Sequence, residues 1–163
     1  MADAIVLEIT GIEGECKLDG YDKKITLTSF SHGLQQPMTM DPSNQERTTG
    51  RVNCQDLAFT KQMDAATIHL LNAINTAKNL QTTKLYILKA TGEEAEGQKL
   101  VLTIEMENTM ISSYSLSGGG GVPMESITFN FTKISWNYTP QTETGALGGN
   151  IPTNWNLAKG KKD

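Results

Sequence analysis

Apolar and polar residues alternate along most of this chain with a period of two, which is the pattern of a β-strand with one buried face. The alternating segments are separated by clusters of Gly, Pro, Asn and Ser, which favour turns. About seven such segments can be recognised, and they begin near Ile5, Ile25, Val52, Lys84, Leu100, Met110 and Ile127. The pattern therefore predicts a mainly β protein.

One stretch follows the spacing of a helix instead. Apolar residues that share one face of an amphipathic helix recur there, namely Ala66, Leu70, Ala73 and Ala77 with Leu71 and Ile74 beside them. We predict a helix over residues 64–78 that begins at Asp64, whose carboxylate can accept hydrogen bonds from the first turn. Thr67 stands where a capping box has Glu or Gln, so the box is predicted to be incomplete. Lys78 and Asn79 are predicted to end the helix, because a cation suits the last carbonyls and Asn tolerates the left-handed conformation.

The alternation changes phase inside several strand segments. These changes fall between Leu27 and Phe30, near Gln55 and Asp56, and near Thr132 and Lys133. A β-bulge changes the phase in this way, since one extra residue moves the later side chains to the opposite face. Repeated bulges indicate a strongly curled sheet, and closure removes its exposed edges. We therefore predict a single bulged antiparallel β-barrel of two curled sheets, with the helix packed at its side or end.

The domain organisation is predicted to be simple. Residues 1–140 are expected to form the barrel as one domain, because a chain of this length can bury a sufficient core. Residues 35–51 form a long connection with little periodicity, and such loops are usually functional or disordered. From residue 141 onward Gly and Pro break any period, so residues 141–163 are predicted to be a flexible polar tail. Trp155 and Leu157 could pin this tail to a neighbouring surface.

Composition narrows the possible functions. The 163 residues carry a formal net charge of −4, which disfavours nucleic acid as a partner because phosphate binding needs clustered cations. No run approaches the ~20 apolar residues that a membrane helix needs, and the first residues do not resemble a signal peptide. We expect a protein that stays in the cytosol or leaves it by a route that reads no N-terminal signal. Cys16 and Cys54 do not make a disulfide framework.

The sequence contains no recognisable active site. His32 and His69 are its two histidines, which leaves few acid–base groups near neutral pH, and no G-x-S-x-G motif surrounds a serine. The glycines from Gly118 to Gly121 lead into a strand, whereas a phosphate loop leads into a helix. We predict no catalytic, metal or cofactor site and no enzymatic activity. Two alternatives stay open: a hydrolase that uses one of the histidines, and a monomeric ligand-binding barrel with an apolar cavity.

Four blocks of the chain carry a family likeness: Gly14-Glu15-Cys16, the segment from Ile25 to Gly33, Phe59-Thr60-Lys61 with Asp64 and Thr67, and the segment from Ile127 to Tyr138. They resemble the Hcp (haemolysin-coregulated protein) family, the tube subunits of the bacterial type VI secretion system, which are similar to tail-tube proteins of contractile phages. The block before the helix is the most specific. Cys16, Phe30 and Ile68 depart from the serine, tryptophan and proline that are common at these places in the family.

The resemblance implies a hexameric ring of β-barrels, with rings stacked into a hollow tube that is expelled when a sheath contracts. It implies that the tube carries effectors in its lumen, and that its partners are copies of itself, the effectors, the spike protein at the tube tip and the sheath. The protein would wait in the cytoplasm and then be secreted. A phage-type tail-tube protein is the alternative within this likeness.

Two sets of residues are candidates for these contacts. The loop over residues 35–51 is predicted to reach an adjacent ring or subunit, and its contact residues would be Gln35, Met38, Met40, Asp41, Gln45 and Arg47, with the methionines as apolar anchors. The polar side of the second strand, formed by Thr26, Thr28 and Ser31, is predicted to face the lumen. Small hydroxyls suit a passage that must release its cargo.

Overall fold

A computed structural model describes residues 4–38, 43, 49–90, 98–140 and 149–163. Within these residues the order of elements is β1 (Ala4–Ile9), β2 (Ile25–Leu27), β3 (Ser29–Ser31), β4 (Leu34–Gln35), β5 (Asn53–Cys54), β6 (Leu57–Gln62), α1 (Ala66–Asn75), β7 (Thr83–Ala90), β8 (Gln98–Glu107), β9 (Met110–Ser117), β10 (Met124–Asn130), β11 (Lys133–Tyr138) and β12 (Ile151–Asn156). The predicted mainly β class with one helix is confirmed.

The strands form two main antiparallel sheets and a small ribbon. The first sheet has the order β12-β11-β8-β7-β1-β2, the second has the order β3-β6-β10-β9, and β4 pairs with β5 in the ribbon. Inward side chains of both sheets, such as Leu7, Leu85, Phe59 and Phe129, meet α1 residues such as Leu70 in one buried cluster. In the part of the chain that is described, the two sheets remain separate ladders, so the hydrogen bonding does not close into a complete barrel.

The predicted phase changes mark places where the chain leaves one sheet for another. β2 belongs to the first sheet and β3 to the second, and the N–H of Thr28 between them donates to the Thr60 carbonyl at 2.8 Å. β10 and β11 likewise lie in different sheets, and β5 of the ribbon is followed by β6 of the second sheet. Strands that switch sheets make the corners of such folds. The expectation of bulges at these three places is therefore corrected, although the places themselves are right.

The helix is shorter than predicted and begins one step later. Ala65 is its N-cap residue, with helical backbone angles of φ −62° and ψ −24°, and it has no side-chain capping bond. Asp64 still accepts a hydrogen bond through its carboxylate, from the N–H of Ala66 at 3.0 Å. The N–H of Asp64 donates to Thr67 Oγ1 at 3.1 Å. Thr67 therefore makes the second hydrogen bond of a capping box, because its hydroxyl oxygen accepts the bond that the side chain of a Glu or Gln would accept at this position.

The end of the helix also differs from the prediction. Ala77, not Asn79, adopts the left-handed conformation, with φ of 51°. The N–H of Lys78 donates to the Ala73 carbonyl at 2.9 Å, and the N–H of Ala77 donates to the Ile74 carbonyl at 3.4 Å. This pair of bonds is a Schellman motif, in which the left-handed residue is usually glycine.

Residues 151–156 form a strand, which corrects the expectation of a flexible tail there. β12 pairs with β11 along its whole length, and Trp155 lies opposite Ile134 and packs on the main core. Gly149 and Pro152 hid this strand because both residue types are depleted in strands. Residues 141–148 lie outside the described part of the chain, and a domain boundary at residue 140 stays a prediction.

Pro152 is compatible with β12 because this strand is the edge of the sheet. Asn156 points its N–H away from β11, to the Lys161 carbonyl at 2.9 Å. Along a strand, the N–H groups of alternate residues point to the same side in the plane of the sheet. The backbone positions of β12 that face the open edge are therefore those of Asn156, Asn154 and Pro152. Proline has no N–H to leave unpaired at an edge.

Candidate assembly surfaces and a buried charge cluster

The outward face of the second sheet is built from small uncharged side chains. The registers of β3, β6, β10 and β9 place on it Ser29, Ser31, Ala58, Thr60, Gln62, Ser113, Ser115, Ser117, Met124, Ser126 and Thr128. Hydroxyls bond across the strands, with 2.6 Å between the side-chain oxygens of Ser29 and Thr60 and also of Ser113 and Thr128. We call this surface the hydroxyl face. It presents mostly uncharged donors and acceptors, with one carboxylate at its edge, that of Asp56, which accepts hydrogen bonds from Ser112 at 2.6 Å and from Asn130 at 2.9 Å.

The outward face of the first sheet carries charges in contrast, beside a second apolar cluster in which Val6 and Leu88 are buried with Cys16. Glu8, Lys84 and Glu105 lie side by side across β1, β7 and β8. Lys24 pairs with Glu8 at 3.1 Å and lies 4.9 Å from the ring centre of Tyr86. Hydrogen bonds from Tyr86 and Lys24 lower the pKa of Glu8, which keeps it ionised. The two outward faces of this fold are therefore suited to different surroundings.

The predicted lumen residues do not share one face. All three are exposed, but only Ser31 lies on the hydroxyl face, opposite Ala58. Thr28 is at the corner between the sheets, and Thr26 lies on the first sheet opposite Val6. Thr26 and Thr28 border a recess of about 190 Å³ beside Asp64.

Two of the predicted loop contacts fall on described residues. Gln35 is exposed at the end of β4. Met38 is 49% exposed and forms an isolated bridge with Thr49, at the base of the loop. Met40, Asp41, Gln45 and Arg47 lie outside the described residues.

A largely apolar groove of about 580 Å³ lies at the base of this loop. The β4–β5 ribbon forms one wall through Leu34 and Cys54, and the inward side of β11 and β12 forms the other through Trp136 and Trp155. Arg51 also lines the groove, and its guanidinium lies against Gly160, where a side chain would meet it at 2.5 Å. Burial raises the pKa of the Cys54 thiol, which keeps this cysteine protonated.

A fully buried lysine connects α1 to the second sheet. Lys61 has no exposed side-chain surface, and its ammonium donates to Asp64 Oδ1 at 2.8 Å and to Thr67 Oγ1 at 3.3 Å. It also pairs with Glu125 Oε2, whose carboxylate is buried to the same extent. Thr67 donates to Glu125 Oε2 at 3.1 Å, and the Tyr114 hydroxyl donates to Glu125 Oε1. A buried charge is tolerated only when it is paired and hydrogen-bonded in this way.

This charge cluster explains the block of sequence before the helix. Lys61 was recognised only through the family likeness, whereas Asp64 and Thr67 were also considered for the helix cap, and the structure brings all three together around one ammonium group. Glu125 was missed. Its signal is its phase, because it alternates with Ile127 and Phe129 on the inward side of β10, where a carboxylate needs a buried cation.

The histidines do not form a catalytic arrangement with described residues. His69 is exposed on α1, whereas the ring of His32 packs between Phe131 and Trp136 with both centroid distances at 6.0 Å. Burial lowers the pKa of His32, and the backbone of Gln55 opposes this shift. In the described ranges, no cluster of His, Cys, Asp and Glu could hold a metal ion. No helix in the same ranges is long and apolar enough to span a bilayer.

Comparison with known proteins identifies the family. Residues 6–138 match the family described as "Type VI secretion system effector, Hcp". The chain is 34% identical over 160 residues to the protein hcp1 of Pseudomonas aeruginosa, and the match covers 96% of both chains. A solved structure of a type six secretion system protein is 29% identical, with a TM-score of 0.91 over 99% of this chain and 100% of the other. The crystal structure of Hcp1 from Salmonella typhimurium has the same fold, with 22% identity and a TM-score of 0.81 over all of both chains. The sequence, the fold and these matches together place the chain in the Hcp family of type VI secretion proteins.

Proposed function

We propose that this chain acts through contacts with copies of itself, forming hexameric rings that stack into the hollow inner tube of the type VI secretion machine. As a member of the Hcp family it is a structural tube subunit. The charge cluster around Lys61 fits a role as a wall segment rather than an enzyme, because it is buried and holds α1 on the second sheet.

The observation that carries the proposal is the difference between the outward faces of the two sheets. Charges of both signs on the first sheet suit water or a protein exterior. The hydroxyl face can bond many polar surfaces weakly, because most of its side chains are uncharged and the Asp56 carboxylate at its edge is already hydrogen-bonded by Ser112 and Asn130. In a ring, the hydroxyl face suits the wall of the lumen, and the charged face of the first sheet suits the outer wall. Ser31 is then a lumen residue, and Thr28 lies near the lumen's rim.

The edges of the second sheet favour head-to-tail contacts. One edge is β9, with eight residues, and the other is β3, with three residues. Two unlike edges can meet head to tail, β9 of one copy against β3 of the next, and such a heterologous contact closes into a ring when its rotation allows. The loop over residues 35–51, with Gln35 and Met38 at its base, supplies the contact to an adjacent ring or subunit. Met40, Asp41, Gln45 and Arg47 belong to the same proposed contact.

The partners other than copies of the chain itself follow from the same role. Effectors would be held in the lumen, the spike protein would sit on the tube tip and the sheath would surround the outer wall. The protein would assemble in the cytoplasm and leave with the tube when the sheath contracts.

Negative-stain electron microscopy with light scattering tests the assembly. Annular particles with a central opening, and a mass of several times 17.8 kDa, are expected for the purified protein. A monomer at every concentration would contradict the proposal and would favour a ligand-binding barrel.

A further inference from the structure

We propose that rings of this chain stack through a specific contact: the tip of the β9–β10 hairpin of one copy enters the groove between the β4–β5 ribbon and β11–β12 of a copy in the next ring. This inference rests on the proposed tube function and assigns the surfaces that join one ring to another. The occupant of the groove is a second copy of this chain.

The hairpin tip is a convex apolar surface. Val122 is 58% exposed, and Leu116 and Met63 beside it are exposed as well. The N–H of Met63 donates to the Pro123 carbonyl at 3.0 Å, which fixes the tip to the end of β6. Glycines 118–121 form the turn itself, so Val122 and Leu116 on either side of it supply the apolar surface at this end of the hairpin.

The groove is the concave counterpart. Its walls carry the exposed Leu34 and the two half-buried tryptophans, Trp136 and Trp155. Beyond it, Tyr138 and Ile151 lie directly opposite each other on β11 and β12, and Ile151 is 62% exposed. Both side chains lie on the inward side of the first sheet, beyond the part of that side which the second sheet covers. A volume of about 580 Å³ has room for the side chains of Val122 and Leu116.

The tip and the groove lie at opposite ends of the same sheet. At the tip end, Met124 pairs with Gln62, and at the other end Phe129 pairs with Leu57, which follows closely on Cys54 of the groove. The six residues of β6 separate these ends by roughly 20 Å. A copy therefore cannot insert its own tip into its own groove. Two unlike, complementary patches at opposite ends produce an open stack of copies that all point in one direction.

Charge also allows this contact. Val122, Leu116 and Met63 are uncharged, and among the described groove residues Arg51 is the one charged side chain, with its guanidinium directed onto Gly160. Arg51 is exposed, so a tip that contacts Leu34 and the two tryptophans would desolvate apolar surface while the guanidinium keeps its contact with water.

A native cysteine makes the contact testable by cross-linking. In Val122→Cys, the new thiol of one copy should reach Cys54 in the groove of the next. Because Cys54 is protonated, the exposed new thiol is the one that ionises and reacts first with the oxidant diamide at about pH 8.5, and Cys54 then displaces the reduced diamide to form a disulfide between rings. Each copy offers one tip and one groove, so non-reducing electrophoresis should show a ladder that continues well beyond the hexamer. The ladder should disappear in Val122→Cys with Cys54→Ala. Asn72→Cys, on the exposed side of α1, should give no ladder.

Charged variants test the same surfaces without a cross-linking reaction. Val122→Asp and Leu34→Asp change exposed side chains, so rings and melting temperatures should stay as in the wild type, while the protein concentration needed for stacking should rise at least about tenfold. Asn72→Asp adds the same charge elsewhere and should stack normally. Normal stacking of both variants, a ladder that stops at the hexamer, or dimers only would each overturn the assigned contact. Failure of the wild type to form rings would instead refute the proposed function.

Discussion

Lys61 on β6 lies directly opposite Glu125 on β10, and both charged side chains are completely buried. Such a pair contributes little net stability over well-packed apolar residues, but removal of one partner leaves a buried charge without compensation. The pair therefore fixes how α1 sits on the second sheet, since Asp64 and Thr67 at the start of the helix bind the same ammonium group.

Lys61→Met should lower the free energy of unfolding by about 3–5 kcal/mol, because the buried Glu125 carboxylate loses its cation. Urea denaturation measures this loss. Lys61→Met combined with Glu125→Leu should recover part of it, since the fully buried carboxylate is removed while Asp64, whose side chain is 12% exposed, still lacks its cation. Lys24→Met is the matched control at a partly exposed pair and should cost about 1 kcal/mol or less. An equal loss in Lys61→Met and Lys24→Met would contradict the role of the cluster.

Ala77→Gly should stabilise the fold by about 0.5–1 kcal/mol. Ala77 is exposed and holds φ at 51°, a conformation that costs a residue with a Cβ more than it costs glycine. Thermal or urea unfolding gives the change. Asn72→Gly, on the exposed side of the helix interior, is the control and should lower stability. Destabilisation by Ala77→Gly would mean that the Schellman motif does not form.

Stability should fall in alkaline solution through Tyr114. Burial and the hydrogen bond to Glu125 raise the pKa of Tyr114 above its usual value of 10.0. A raised pKa favours the neutral phenol in the folded state, so its contribution is complete below about pH 10 and is lost as the pH rises further. Urea denaturation between about pH 8 and 11 should show this fall.

Tyr86, beside Glu8, has a pKa raised in the same direction and contributes to the same fall. Tyr114→Phe should therefore reduce the pH dependence, and Tyr114→Phe with Tyr86→Phe should reduce it more. An unchanged slope in the double variant would show that neither phenol is linked to folding.

Charge on the hydroxyl face should weaken rings in a salt-dependent way. In Ser126→Arg the six added charges of a ring would converge on the lumen, so rings should dissociate at low ionic strength and recover when salt screens the repulsion. In Ser135→Arg, on the outward side of β11, the charges would diverge and the rings should stay intact. Light scattering against salt concentration distinguishes the two. Equal behaviour of both variants would place the hydroxyl face elsewhere than the lumen.

Deletion of residues 38–43 should leave the barrel folded and shorten the tubes. The base of this loop is fixed by the hydrogen bond from the Gly50 N–H to the Pro37 carbonyl, at 2.9 Å, and lies next to the groove. Circular dichroism checks the fold, and electron microscopy gives the distribution of tube lengths. Tubes of unchanged length would remove the loop from the assembly contacts.

The sequence located the corners of the fold without revealing what happens there. A change of phase near Leu27, near Gln55 or near Thr132 looks the same whether a strand bulges or passes to another sheet. Only the pairing of distant strands decides between them, as when Thr28 donates to Thr60. For β12, Gly149 and Pro152 gave the wrong local signal, because an edge position tolerates a proline that a central strand would not.

The candidate surfaces were found only in part for a similar reason. Ser31 and Thr26 were predicted together from one stretch of sequence, but Ser31 shares a face with Ser113 and Ser126 through β6 and β10. Thr26 lies on the other sheet because its strand ends at Leu27, before the corner, and which of these residues face the lumen stays a prediction. Glu125 could have been found from its inward phase, since Lys61 is an inward cation of another strand that can neutralise it.

The edge at β12 limits how copies of this chain can add to one another. Pro152 offers no donor there and the N–H of Asn156 is already occupied by Lys161, so Asn154 has the remaining outward N–H of that strand. A neighbouring β-strand would find a single N–H donor to pair with there. At this edge, a protein that must polymerise in great numbers is thereby protected from adding strands sideways, and its growth is left to the surfaces that build an ordered cylinder.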